Sequence, residues 1–169
     1  VRLSAPTVAP PESRRPPTRE AGQLRLPSFE ELPSDQAPYR AREFAGSIVE
    51  RLPDAAEFDR AELLGVDCSE VPCVVALEVF FADPRGPNPK AWRMVDMLIQ
   101  SHFDPEFSWE NPDERVGTWM QSPDEIGSSI RVAYWRFPEA AVDNPHLRAV
   151  LTESCYRRAR EAGFYTPTQ

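Results

Sequence analysis

Val66-Asp67-Cys68-Ser69-Glu70-Val71-Pro72-Cys73-Val74-Val75 is the stretch whose reading decides the fold. Apolar, β-branched residues flank a short polar insert of Ser, Glu and Pro. That pattern predicts two strands joined by a hairpin turn. Four residues separate the cysteines, and a hairpin would bring their Cα atoms near the ~5.5 Å that a disulfide prefers. The spacing therefore predicts a Cys68–Cys73 disulfide and, with it, an oxidising compartment such as the periplasm or cell exterior. Three other readings stay open. A redox-active dithiol usually has two residues between its cysteines, at a helix start. A metal site could draw nitrogen ligands only from His102 and His146. The third is a pair of ordinary reduced thiols.

Outward from the hairpin, Leu64 and Val66 alternate with Gly65 and Asp67, and Val74 to Phe81 is apolar except for Glu78. Apolar residues on both sides of this second strand predict a central position in a sheet. Upstream, Phe44, Ile48, Val49 and Leu52 fall on one face of an amphipathic helix over residues 39–52, ended by Pro53. Downstream, Asn88-Pro89 reads as a cap followed by a first-turn proline. The helix it opens runs to about Phe103, with Trp92, Val95, Leu98, Ile99 and His102 as its stripe. Val116–Gln121 and Ser129–Phe137 read as two more strands. Asp143-Asn144-Pro145 repeats the capped helix start, and Gly163 supplies the stop. Cys155 lies four residues after Leu151 on that last helix's apolar stripe and reads as a buried free thiol.

The element order is α-β-β-α-β-β-α. It predicts an α+β domain with a single antiparallel sheet and helices packed on one face. This order is similar to a circularly permuted ferredoxin-like fold. The periplasmic domains of inner-membrane secretion and pilus-assembly platform proteins resemble it as well. The resemblance covers residues 39–137 and rests on element order alone.

The chain of 169 residues carries 19 Pro against 7 Gly, and many of the prolines stand near its start: Pro6, Pro10, Pro11, Pro16, Pro17, Pro27, Pro33 and Pro38. Residues 1–37 lack sustained periodicity and read as a Pro-rich, extended or disordered tether. Residues 38–165 form the domain, and 166–169 a tail. Leu24 to Phe29 is the apolar patch of the tether, suited to docking on the domain or to remaining disordered, with a short linear motif for a partner as the alternative. The chain opens on Val1 rather than Met, which reads as a fragment or a processed form, and a signal or anchor upstream would not be visible. No stretch approaches the ~20 apolar residues of a membrane span, so a membrane is reached only through an anchor outside this chain.

The net charge of −8 is unevenly spread. Residues 1–26 hold five arginines against two glutamates, a balance of +3, leaving −11 for the rest. An acidic body repels phosphate backbones and argues against nucleic-acid binding. The seven glycines stand singly, with no P-loop and no dinucleotide fingerprint. No Gly-x-Ser-x-Gly elbow is present, and the Asp/Glu spacing matches no calcium loop. The sequence thus predicts no catalytic residues, no metal and no cofactor.

What remains is interaction. Phe107 and Trp109 sit among Glu110, Asp113 and Glu114 in an acidic, irregular segment, and aromatic residues anchor many binding surfaces. The predicted function is a non-catalytic extracytoplasmic domain for protein interaction or assembly, in a bacterial-type envelope, with another protein or a second copy as partner. The alternatives are a thiol-redox or metal-dependent protein using Cys68 and Cys73, and a small-ligand sensor with its pocket between sheet and helices.

Overall fold

The computed structural model describes residues 24–54, 57–83, 89–110, 115–123 and 128–164. Two single-turn 3-10 helices, Phe29–Glu31 and Ser34–Gln36, lead into α1 (Pro38–Arg51). Strands β1 (Phe58–Asp67) and β2 (Val74–Phe81) follow, then α2 (Pro89–Phe103), β3 (Val116–Gln121) and β4 (Ser129–Arg136). A short α3 (Glu139–Val142) precedes the long α4 (Pro145–Glu161). The four strands make one open antiparallel sheet in the order β1-β2-β4-β3.

β2 and β4 occupy the centre because they are apolar on both faces. Val75, Leu77, Val79, Val132 and Tyr134 point to one face, where Ala45, Ile48 and Leu52 of the α1 region and Ala91, Val95 and Ile99 of α2 cover them. Each buried Val, Leu or Ile among them contributes roughly 1.5–3 kcal/mol relative to exposure. Val74, Ala133 and Trp135 point to the other face and pack against Leu147, Leu151, Cys155 and Ala159 of α4. The expectation of helices on one face is therefore corrected: α4 lies on the opposite face from α1 and α2. The physical reason is the second apolar row of the two central strands, which water would otherwise wet.

β1 is longer than the sequence suggests. Asp59, Arg60 and Glu62 are exposed along it, and a register shift falls between Leu63 and Gly65. An edge strand that is half in water and bulged does not show clean alternation.

Both ends of α4 follow their sequence signals. Asn144 Oδ1 accepts the Leu147 N–H at 3.0 Å, and Pro145 holds the first helical position. Gly163 adopts φ +74, while the Gly163 and Phe164 N–H groups donate to Arg160 and Ala159 carbonyls. That left-handed residue turns the chain so that Phe164 packs back on the core, its ring against Gly65.

Residues 24–37 lie against the body. Leu24 packs on the α4-side core, and Arg136 Nη1 donates to Asp35 Oδ2 at 2.7 Å.

Candidate functional site

Cys68 and Cys73 are joined by a disulfide, with their Cα atoms 4.3 Å apart, in the loop between β1 and β2. Asp67 Oδ1 accepts the Ser69 N–H at 2.8 Å and tightens the turn. The loop is held from outside by α4. Arg158, only 3 % exposed, donates through Nη1 to Glu70 O at 3.0 Å and Asp67 O at 3.4 Å, and through Nη2 to Pro72 O. Ser154 Oγ donates to Glu70 Oε2 at 2.7 Å, and Arg157 Nη2 reaches the same carboxylate at 3.3 Å. A buried guanidinium is tolerated here because three loop carbonyls accept from it and Asp67 stands 3.8 Å away.

The electrostatics follow from that clamp. The hydrogen bond from Ser154, with Arg157 and Arg158 nearby, lowers the Glu70 pKa against weak desolvation. Burial opposes ionisation of Asp67, but the Ser69 bonds and the two arginines outweigh it and lower its pKa too. Cys155 is fully buried beside Arg158, with its Sγ 3.6 Å from Nη2. Desolvation pushes its thiol up to about 12, partly countered by that arginine. At neutral pH it is a thiol rather than a nucleophilic thiolate.

The second predicted feature follows α2. The Phe107 N–H donates to Asp104 O, the Glu106 N–H to Asp104 Oδ1, and the Glu110 N–H to Ser108 Oγ. These turns project Trp109, which is 51 % exposed, with its ring edge-on to Phe107 at 5.2 Å between centroids. Glu110 is exposed beside it. Asp113 and Glu114, assigned to the same surface, lie outside the described residues. Among the described residues, no group of three or more His, Cys, Asp or Glu could hold a metal ion, and no helix is long and apolar enough to cross a membrane.

His102 stacks edge-on between Phe44 and Phe103 and takes a 3.5 Å contact from Arg51 Nη1 to its Nδ1. Burial first, and the arginine second, lower its pKa.

A third feature escaped sequence reasoning. An open groove of ≈ 550 Å³ runs between β3 and α4, floored by Gly117, Trp135 and Phe137 and walled by Pro145, Thr152 and Tyr156. Gly117 carries the signal that could have found it, since a lone glycine in a strand often marks a close approach. The Trp135 indole lies directly over Gly117 and fills the space of its missing Cβ.

Fold and site define an α+β domain with a disulfide loop clamped by its last helix. The chain matches no protein-family model, and no curated protein and no solved structure is significantly similar to it.

Proposed function

We propose that this chain is a non-catalytic protein-interaction or assembly domain that works outside the cytoplasm, in the periplasm or at the cell exterior of a bacterial-type envelope. The observation that carries the reading is the exposed Trp109 braced by Phe107. A large rigid aromatic held in water by a turn is the kind of group that anchors interfaces. Asp104, Glu106 and Glu110 stand within five residues of it in the sequence, in a body whose net charge is −11. The fitting partner is therefore a protein surface that is apolar at its centre and basic at its rim. The Cys68–Cys73 disulfide suits an oxidising compartment. The strand order β1-β2-β4-β3, with α1 and α2 on one face, supports taking the core as a circularly permuted ferredoxin-like fold to which α4 is added.

A photo-crosslinking amino acid at position 109, expressed in the source cells, tests the docking surface against the same group at exposed Tyr39. One discrete protein adduct from position 109, absent from position 39, supports it. No adduct, or equal adducts from both, overturns it, and an adduct of twice the chain mass replaces the partner by a second copy. Trp109→Ala should leave the melting temperature nearly unchanged, since half the ring is already in water. Alkylation of intact cells tests the compartment: Cys68 and Cys73 protected until reduction supports it, and both free overturns it.

A further inference from the structure

A cavity of ≈ 40 Å³ lies between the sheet and the segment that leads into α1. Val75 of β2 and Tyr134 of β4 line it from the sheet, Phe44 from α1 and Phe103 from α2. Leu32 and Asp35 line it from residues 29–37, which run along it as a strap. Among the described residues, the charged groups of the lining are Asp35 and Arg136.

Tyr134 and Arg136 stand two residues apart on β4, so their side chains leave the same face of the sheet. Both meet one ring. The Phe103 centroid lies 5.8 Å from that of Tyr134 and 5.8 Å from Arg136 Cζ. The two groups differ in depth. Tyr134 is 2 % exposed, and its hydroxyl has no hydrogen-bond partner among the described residues. Buried polar groups are nearly always paired, so this hydroxyl points to a ligand. Burial pushes its pKa up, which keeps it a neutral phenol with a proton to donate. Arg136 sits further out and pairs with Asp35, whose side chain is 48 % exposed.

That pair shows the chemistry Arg136 accepts. Nη1 donates to the Asp35 carboxylate at 2.7 Å, and the guanidinium fork matches carboxylates in general. A solvent-exposed ion pair is weak, so a second carboxylate can exchange with Asp35, which returns to the water it already half meets. A cationic ligand would be repelled by Arg136, and a neutral one would leave that guanidinium on Asp35. Volume sets the size. One water needs roughly 10–15 Å³, so the cavity spans roughly three waters, the bulk of a carboxylate with a very short chain. The aromatic and aliphatic lining suits such a chain.

We propose that this cavity binds a short-chain aliphatic monocarboxylate, which takes Arg136 from Asp35 and accepts the Tyr134 hydroxyl, with Asp35 as the built-in competitor. The inference is independent of the Trp109 surface. The test titrates the full chain with propionate, read by NMR amide shifts and calorimetry. Amides of Val75, Phe103 and Tyr134 should shift saturably, and propionamide, which lacks the charge, should not move them. Asp35→Asn should bind propionate about 2–5-fold tighter, the worth of an exposed ion pair. Arg136→Gln should weaken binding by about tenfold or more. Tyr134→Phe should weaken it by about 3–10-fold, yet leave the melting temperature of the ligand-free protein unchanged or higher, because the deleted hydroxyl had no partner. Four results overturn the inference: no saturable shift in either the parent or Asp35→Asn, equal shifts with propionamide, equal affinity in the parent and Asp35→Asn, or a lowered melting temperature for ligand-free Tyr134→Phe, which would show the hydroxyl already bonded to a buried water.

Discussion

Replacing Gly117 by Ala should destabilise the protein even though it adds only one methyl group to an edge strand. A Cβ built at Gly117 falls 2.2 Å from Trp135 Nε1, 2.3 Å from Cε2 and 2.6 Å from Cζ2, where ordinary contact begins near 3.4 Å. The ring must retreat by about 1 Å, yet it is 1 % exposed and packed edge-on against Phe137 and Tyr156. Overpacking of this kind costs about 1–3 kcal/mol. Against it stands the backbone gain of Gly→Ala, about 0.5–1 kcal/mol. The net loss is about 1–2 kcal/mol, or a melting temperature lower by about 3–6 °C for a chain of this size. Gly46→Ala is the internal control. Gly46 lies within α1 with nothing within 4 Å of its built Cβ. There the same substitution should gain about 1 kcal/mol of helix propensity and raise the midpoint by about 2–4 °C. Thermal melts followed by circular dichroism and tryptophan fluorescence read both. A Gly117→Ala protein that melts at or above the parent would show that the Trp135 ring is not confined as described.

Replacing Cys68 and Cys73 together by Ser should lower stability by about 2 kcal/mol, the chain-entropy value for so short a loop, and urea unfolding would expose an unchanged midpoint as contradiction. Arg158→Met should cost about 2–3 kcal/mol, because the Asp67, Glu70 and Pro72 carbonyls lose their donor. Faster amide hydrogen exchange confined at first to the disulfide loop is its signature, and uniform exchange would argue against the clamp. The folded protein holds the His102 pKa below the ordinary 6.5, so the unfolded chain takes up the proton first. Stability is then fully present above about pH 6.5 and declines as pH falls toward the folded value. Asp67 and Glu70, also lowered, act with the same sign from about pH 4.5 downward. His102→Gln should flatten the slope of stability between pH 7 and 5 and leave the more acidic limb in place; an unchanged slope would refute the assignment.

The parts of the fold that were legible are those with local causes. The hairpin and its disulfide come from cysteine spacing and an intervening Pro. The start of α4 comes from Asn144-Pro145, and its stop from Gly163. β1 was read only at its C-terminal end, since Asp59, Arg60 and Glu62 face water on an edge strand and break the alternation. The four residues of α3 are too few for periodicity to register. Of the candidate surface, Trp109 was legible as an aromatic in an acidic stretch, and its exposure agrees. Arg158 carries no sequence signal that sets it apart from Arg157 and Arg160 beside it. Its burial depends on three carbonyls from a loop some ninety residues earlier in sequence.

By itself, then, the sequence determined element types, the covalent staple, the helix caps and the acidic character of the body. All of these depend on neighbours within about five residues or on a simple sum of charges. Tertiary structure decided which face of the sheet each helix covers, that Arg158 is buried, and that an open aromatic trough lies beside Gly117. Each of these turns on which distant surfaces meet. Alternation along β2 and β4 says that both faces must be covered, but only the path of the chain after Phe137 says that α4 covers the second one and leaves β3 open there.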